Sequence, residues 1–437
     1  MTKVALQSGA SIAANSLKHA LSDQDLKKSS FKALMEVQAK RLAKELGQLK
    51  GSLMKVGQML ALYGEHFFPE EVVDALKSLN EDSPPLEWEA VEKILNRRLN
   101  TEQLAALDIQ VNALAAASMG QVHRAKIKAT GEEICLKIQY PGVAKAIDSD
   151  VKTLRSLLAM FKLLPSHSKG LESMFKEIRG MLKQEMDYVR ELRSTEFMSQ
   201  ALSNKKQYIV PKTYEQFSGP KILATSYCPG SNIDSPEVLA LSNARRNSIG
   251  HDFAQLFLDE LFVHNHVQTD PHFGNYKIKL DEGASDAIIL LDFGALRKFP
   301  KTFISHYKNL LQGALQQDEE LCIKGAKGVG FLKEDDNDEL LECFTQLAFL
   351  AVEPWLPHDD PRMNQDLLDD NKHYIWSKSD LPNRITKKAA EYALTFKMRP
   401  PPREVVFLDR KIGGVFIVLK TLDARFDSWS MINEYLN

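Results

Sequence analysis

Three acid and amide side chains near the middle of the chain have the types and spacing of a phosphoryl-transfer site. Asp270 and Asn275 stand five positions apart in the run Asp-Pro-His-Phe-Gly-Asn, and Asp292 opens an Asp-Phe-Gly triplet after two short apolar runs. Phosphoryl transfer needs one carboxylate at the incoming nucleophile and hard oxygen ligands that hold Mg²⁺ against the phosphates. We therefore predict that Asp270 is the catalytic carboxylate and that Asn275 and Asp292 bind Mg²⁺.

Two segments upstream have the features of a nucleotide site. Lys137 lies in Ile-Cys-Leu-Lys-Ile, the apolar strand setting of the phosphate-binding lysine of protein kinases. The segment from Ala115 to Val122 overlays the kinase glycine-rich loop, with alanine at the first two glycine positions. Alanine lacks access to positive φ and adds a methyl group, so we expect a stiffer loop with altered phosphate contacts. The predicted ATP-binding residues are Ala115, Ala116, Ala117, Ser118, Gly120, Val122 and Lys137.

An acidic segment between these parts offers an ionic partner for the lysine. The run from Gln184 to Glu191 contains Glu185, Asp187 and Glu191. On this predicted helix, Asp187 and Glu191 share a face and Glu185 is rotated away from Glu191.

Each of these pieces has a plainer interpretation when taken alone. The acidic run is then a solvated helix face, Asp-Phe-Gly a turn, Asp270 a helix cap and Lys137 a lysine at a strand edge. The alanines are then packing residues. The five pieces nevertheless follow one another in the order found in kinases, and this order favours a common site.

Four segments resemble motifs of the UbiB/AarF family of atypical kinases, which is associated with ubiquinone metabolism. The family's K-x-G-Q corresponds to Lys55-Val56-Gly57-Gln58, and its E-x-D corresponds to Glu185-Met186-Asp187. The alanine-rich loop is a third match. The fourth is H-x-D-P-H-P-G-N, in which this chain has Gln268 for the first histidine and Phe273 for the second proline.

The resemblance implies ATP and Mg²⁺ as cofactors, and an ATPase or a small-molecule or lipid kinase that supports ubiquinone metabolism. It implies that helices bearing Lys55 lie over the cleft and obstruct protein substrates, so Lys55 joins the catalytic candidates. It also implies that Lys137 pairs with Glu191, and that Glu185 and Asp187 complete an acidic, metal-associated cluster. Two other functions stay open, namely a protein kinase acting in trans and a non-catalytic, nucleotide-gated scaffold.

The hydrophobic spacing and the resemblance together predict an α+β, two-lobed protein-kinase-like fold with an N-terminal helical extension. The predicted parts are the extension at 1–104, an N-lobe with a helical insertion at 105–228, and a mostly helical C-lobe at 229–437. The individual elements predicted are a helical extension at 28–66, helices at 88–99, 144–200 and 244–263, and strands at 121–127, 133–139, 207–210, 221–227, 276–280 and 287–291.

The amino-acid composition bears on the ligands, metal sites and location to expect. With 56 Lys+Arg against 58 Asp+Glu, the formal charge of -2 gives no reason to expect nucleic-acid binding. The four cysteines are scattered and form no CxxC pair, which predicts neither a zinc site nor a disulfide framework. With no secretory signal and no apolar run of about 18 residues, we expect a cytoplasmic protein. We also expect a lipid or quinone-precursor ligand, and a peripheral contact of the protein with the inner membrane.

Overall fold

The structure is a computed structural model, and it describes only part of the chain. The described residues are 55–57, 59–60, 68, 70–77, 85–117, 119–160, 169–283, 285–395 and 402–436. Most of the helical extension predicted at 28–66 lies outside them.

The described elements are helices and mostly short strands. The α-helices are α1 (Glu70–Lys77), α2 (Trp88–Arg98), α3 (Thr101–Ala105), α4 (Val143–Met160), α5 (Lys169–Glu185), α6 (Tyr188–Ala201), α7 (Pro236–Leu239), α8 (Asn243–Leu258), α9 (Lys301–Gln316), α10 (Glu319–Val329), α11 (Asp338–Ala351), α12 (Leu381–Thr395), α13 (Arg403–Thr421) and α14 (Ser428–Leu436). The strands are β1 (Leu107–Ala117), β2 (Gly120–Ile127), β3 (Glu133–Gln139), β4 (Tyr208–Ile209), β5 (Ile222–Ser226), β6 (Ser231–Asn232), β7 (His266–Gln268), β8 (Tyr276–Lys279), β9 (Ala287–Leu290), β10 (Leu296–Lys298), β11 (Tyr374–Ile375) and β12 (Arg425–Phe426).

The chain divides into two compact units. The first comprises Met1–Glu87, Ala113–Gln121 and Gln139–Lys183, and the second Trp88–Asn112, Val122–Ile138 and Gln184–Asn437. The first unit contains α4 and most of α5, which bury apolar side chains at one-turn spacing. Arg179 of α5 donates a hydrogen bond of 2.8 Å from Nη2 to Asp148 of α4. The three-part division predicted from the sequence stays a prediction.

The first sheet, most of which lies in the second unit, has the order β1-β2-β3-β5. In β3 the side chains alternate, because successive residues of a strand point to opposite faces. Ile134, Leu136 and Ile138 are fully buried, and Lys137 lies between the last two, paired in register with Leu223 of β5. The core therefore fixes the face from which Lys137 projects.

The second sheet has the order β4-β9-β8-β6, and its central hairpin, as predicted, is antiparallel. Tyr276 at the start of β8 pairs with Leu290 at the end of β9, and the Leu291 N–H donates to the Asn275 carbonyl at 2.9 Å. This register brings Asn275 close to the Asp-Phe-Gly triplet, which follows β9 directly. The two-residue strand β4 pairs in parallel with β9, so it belongs to this sheet, whereas β5 belongs to the first.

A two-stranded ladder and a π-helical turn complete the surroundings of the site. β7 pairs with β10, with Gln268 opposite Leu296, so the segment before Asp270 lies beside the segment after the triplet. The helix predicted at 244–263 is present, but its last five residues, Asp259–Val263, form a π-helix in which Glu260 is buried. Among the described residues, no helix is long and apolar enough to cross a membrane.

Candidate functional site

Lys137, Glu191 and Asp292 form the centre of the site. The Lys137 Nζ lies 2.7 Å from Glu191 Oε1 and 2.8 Å from Asp292 Oδ2. Glu191 is only 2% exposed, whereas Lys137 and Asp292 are each about 30% exposed, at 29% and 31%. The contact predicted between Lys137 and Glu191 is thus present, and Asp292 shares the same cation.

Burial and neighbouring charges shift the pKa values of Lys137 and Glu191. Burial raises the pKa of Glu191 to about 7, helped by the charge of Asp292 and opposed by Lys137. Burial alone would lower the pKa of Lys137, but the charges of Asp292 and Glu191 outweigh it and hold that pKa well above its ordinary value. Lys137 therefore stays a cation, while Glu191 titrates close to neutral pH.

The raised pKa of Glu191 predicts a pH dependence of folding stability. The folded protein holds this proton up to about pH 7, whereas the unfolded chain releases it near the ordinary value of 4.5. The folded state therefore binds more protons in this window, and the Glu191 contribution to stability falls as pH rises through it. Since glutamine does not titrate, Glu191→Gln should show a shallower fall in its free energy of unfolding. Denaturant titrations of both proteins across the window measure the two slopes, and parallel slopes would contradict the assignment.

The loop from Asp270 to Asn275 is closed by its own side chains. Asn275 Nδ2 donates to the Asp270 carbonyl at 3.0 Å and to Asp270 Oδ2 at 3.2 Å. The five-residue separation read from the sequence therefore brings the predicted base and the predicted metal ligand into direct contact. The Asn275 amide presents its nitrogen to Asp270, so its oxygen is the atom predicted to bind Mg²⁺.

Gln268 stands where the UbiB/AarF motif has histidine, and its side chain forms hydrogen bonds with both the Asp270 segment and the Asp292 segment. Its buried side chain donates through Nε2 to the Asp292 carbonyl. Its Oε1 accepts from the Asp270 N–H at 3.2 Å. The amide thus holds the backbone of both segments at once, a role that sequence reasoning missed.

Helix α6 contacts the triplet at a second point. Arg190, next to Glu191, donates to the Gly294 carbonyl at 2.8 Å and to the Leu296 carbonyl at 2.5 Å. A Cβ on Gly294 would lie 3.2 Å from Asp292 Oδ1 and 3.4 Å from Glu191 Oε2, so glycine permits this close approach. The helix that carries Glu191 is therefore tied to the segment that carries Asp292.

Helix α13 supplies a third support, which sequence reasoning also missed. Arg410 Nη2 lies 2.6 Å from Asp270 Oδ1. The next residue, Lys411, forms an ion pair of 2.9 Å with Glu260, and both side chains are only 1% exposed. A Cβ on Gly414 would lie 2.0 Å from Pro271 Cβ, so only glycine fits at this point of the helix.

The acidic segment differs from the sequence expectation. Helix α5 ends at Glu185 and α6 begins at Tyr188, so Asp187 and Glu191 do not share the face of one continuous helix. Asp187 instead caps α6 and accepts from the Arg190 N–H at 3.0 Å. The sequence signal for this break is an aspartate just before a helical run. Glu185 lies near enough to Glu191 to contribute to its raised pKa.

The alanine-rich loop and the K-x-G-Q segment belong to the first unit. Ala115 and Ala116 are exposed near the end of β1, and buried Gly120 opens β2. Ser118 lies outside the described residues. Lys55 starts a described helical turn, and Gln58 lies outside the described part. The lid predicted from Lys55 stays a prediction, as do the phosphate contacts of the loop.

The donor set in the second unit fits Mg²⁺ held together with phosphates. Asp270, Asn275 and Asp292 offer hard oxygen atoms, and Lys137 supplies a cation beside Asp292. Mg²⁺ in such sites is usually held by one or two carboxylates plus substrate phosphates rather than by a protein cage. Among the described residues, no group of three or more His, Cys, Asp or Glu is arranged to hold a metal ion.

Comparison with known proteins identifies the family. Residues 78–326, more than half of the chain, match the model of the ABC1 atypical kinase-like domain. The chain belongs to the ABC1 atypical kinase-like family. This membership confirms the resemblance drawn from the motifs, because relatives over most of the chain are named as COQ8 atypical kinases of the UbiB family.

Two relatives illustrate the match of this ABC1 kinase-like chain. The probable serine/threonine-protein kinase abkA of Dictyostelium discoideum is 27% identical, over 100% of this chain and 78% of that protein. The mitochondrial atypical kinase COQ8 of Schizosaccharomyces pombe is 29% identical, over 88% of this chain and 60% of that protein. The chain thus spans less than two thirds of the second relative's length.

A solved structure supports the fold. The complex of Rv3197 with erythromycin from Mycobacterium tuberculosis is similar with a TM-score of 0.60 and 23% identity, over 93% of this chain and 98% of that one. At this identity the likeness concerns the fold alone. With the family match, it confirms the α+β kinase-like class predicted from the sequence.

Proposed function

We propose that this ABC1 kinase-like chain binds Mg-ATP and turns it over, as an ATPase or as a kinase of a small molecule or lipid. The observation that carries the proposal is the contact of Lys137 with both Glu191 and Asp292 in the unit that also holds the Asp270–Asn275 pair. Family membership supports the use of ATP and Mg²⁺ in general.

Each group has a role that follows from its charge and position. Lys137 binds the α- and β-phosphates, as the corresponding lysine does in protein kinases, and Glu191 orients it. Asn275 and Asp292 hold Mg²⁺, which neutralises phosphate charge when bound. Asp270 orients the acceptor hydroxyl or water and accepts its proton. Gln268 keeps these two segments at a fixed distance through its two backbone contacts.

The segment after the triplet favours a small acceptor over a protein. In protein kinases a long activation loop separates Asp-Phe-Gly from Ala-Pro-Glu. Here Leu296–Lys298 already forms β10, paired with β7, and α9 begins at Lys301. This short, paired connection offers little backbone on which to seat a peptide, so a protein kinase acting in trans is the weaker candidate.

The link to quinone metabolism rests on the family resemblance. The proposed acceptor or effector is a lipid or a quinone precursor, and the proposed location is the surface of a quinone-containing membrane, reached by peripheral contact. The S. pombe relative is named as mitochondrial, which supports a membrane of that organelle as an alternative to the cytoplasm predicted from the sequence.

Turnover of ATP by the purified protein tests the proposal. We expect hydrolysis that requires Mg²⁺ and that changes when lipid vesicles or phenolic quinone-precursor analogues are added. Asp270→Asn should keep nucleotide binding but lose at least about a hundredfold in turnover, the scale of general-base catalysis. Radiolabelled ATP shows whether phosphate reaches water, the added compound or protein.

Two results would replace the proposal. Tight nucleotide binding with no turnover under any of these conditions would favour the non-catalytic scaffold. Labelling of other proteins in trans would favour the protein kinase.

A further inference from the structure

Arg410 is a second cation at the candidate site, and it contacts a different carboxylate from those that Lys137 contacts. Lys137 contacts Asp292, whereas Arg410 contacts Asp270 at 2.6 Å. Both arginine and aspartate are half-buried, with 24% and 25% of their side chains exposed. The guanidinium therefore lies where a bound ligand can reach it.

Three features of α13 fix the position of Arg410. Lys411 is held by its buried ion pair with Glu260 and donates to the Tyr276 hydroxyl at 3.3 Å. Gly414 lies so close to Pro271 that the helix cannot move toward the loop. Glu260 in turn accepts from the Gln268 N–H at 3.3 Å. Helix α13 and the Asp270 loop are thus packed against each other. Because Arg410 is already held in place, little conformational entropy is lost when it binds a ligand.

We infer that Arg410 binds the terminal phosphate of the nucleotide. The inference rests on the proposed function, in which Lys137 holds the α- and β-phosphates and the transferred phosphate faces Asp270. A guanidinium has five N–H donors, and the contact with Asp270 uses only Nη2, so Arg410 can bind carboxylate and phosphate together.

The charges of the site are consistent with this role. Asp270, Asp292 and Glu191 bring three carboxylates to the place where a polyanion binds. Lys137 forms ion pairs with the last two of them, and Arg410 forms one with the first. Charge develops on the transferred phosphoryl group in the transition state, and arginine residues serve to stabilise it in other phosphoryl-transfer enzymes.

The comparison of ATP with ADP tests the inference, because ADP lacks the terminal phosphate. We expect Arg410→Gln to weaken binding of Mg-ATP about tenfold or more, through loss of a charge-assisted hydrogen bond, and to leave binding of Mg-ADP unchanged. Lys137→Gln should weaken the binding of both nucleotides. Lys420→Gln, an exposed change on the same helix, should weaken neither. Arg410→Lys retains the charge and should retain part of the preference for ATP.

A double variant separates direct contact from an indirect effect through Asp270. If Arg410 acts only by neutralising Asp270, Arg410→Gln combined with Asp270→Asn should restore ATP affinity; if it binds phosphate, affinity should stay low. Restored affinity, or equal effects on ATP and ADP, would overturn the inference while leaving nucleotide binding intact. A parent protein that binds neither nucleotide would overturn the proposed function, and the inference with it.

Discussion

Replacing Lys411 by alanine is expected to destabilise the protein by about 3–5 kcal/mol, the usual effect of removing one partner of a buried ion pair. Lys411 and Glu260 are each 1% exposed and lie 2.9 Å apart. Without the lysine, the Glu260 carboxylate would be buried with its ionic partner removed. The free energy of unfolding from denaturant titration measures the loss.

Two control variants show whether the loss of stability in Lys411→Ala comes from the buried ion pair. Lys420→Ala removes an exposed lysine from the same helix and should change stability by no more than about 0.5 kcal/mol. Lys411→Met with Glu260→Gln removes both charges, keeps similar side-chain volumes and lets residue 260 still accept from the Gln268 N–H. It should recover most of the lost stability. A single variant as stable as the parent would show that the pair contributes nothing to folding.

Replacing Asp292 by asparagine is expected to weaken Mg²⁺-dependent ATP binding by roughly a hundredfold or more, since a metal contributes several kcal/mol through its charged ligands. Without nucleotide the change removes the ion pair of Asp292 with Lys137, but Lys137 keeps Glu191 as its partner, so stability should change by no more than about 1 kcal/mol. An asparagine Oδ1 can still accept from the Gly294 N–H, as Asp292 Oδ1 does at 2.7 Å, and Gln268 contacts the backbone carbonyl of residue 292 rather than its side chain. Nucleotide titrations with Mg²⁺ and with a chelator measure the effect.

The control for Asp292 lies at the opposite end of the same hairpin. Asp281 is exposed and accepts from the Gly283 N–H at 2.9 Å. Asp281→Asn removes an equal charge from the same sheet and should leave Mg-ATP binding unchanged. If Asp292→Asn binds Mg-ATP like the parent, the triplet is a structural turn and the metal assignment is wrong.

The sequence predicts those parts of the site that depend on local chemistry. Asp270 and Asn275 are five positions apart, and a hairpin leads from them to Asp292, so turn signals and strand alternation suffice to bring them together. The contact of Lys137 with Glu191 is implied by the family resemblance, whereas the residues alone leave Glu185, Asp187 and Glu191 as candidates. Their catalytic and metal-binding roles stay predictions.

The remaining supports could not be predicted, because they depend on packing between distant segments. Arg410 and Lys411 read in sequence as ordinary basic residues of an amphipathic helix, and nothing local distinguishes the buried Lys411 from the exposed Lys420. Gln268 reads as a departure from a motif, and its two backbone contacts emerge only when β7 lies beside β10. The cap formed by Asp187 was within reach of the sequence.

The close approach of Gly414 to Pro271 bears on where the smallest working fragment of this protein can end. The family match stops at residue 326, yet α13, which holds the loop of Asp270, begins at Arg403. A shortened chain that stops at the end of the matched domain would keep every residue of the motifs and lose the helix that contacts the Asp270 loop. Expression of the matched domain alone is therefore a poor route to a sample with an intact site, and the fragment has to continue through Thr421.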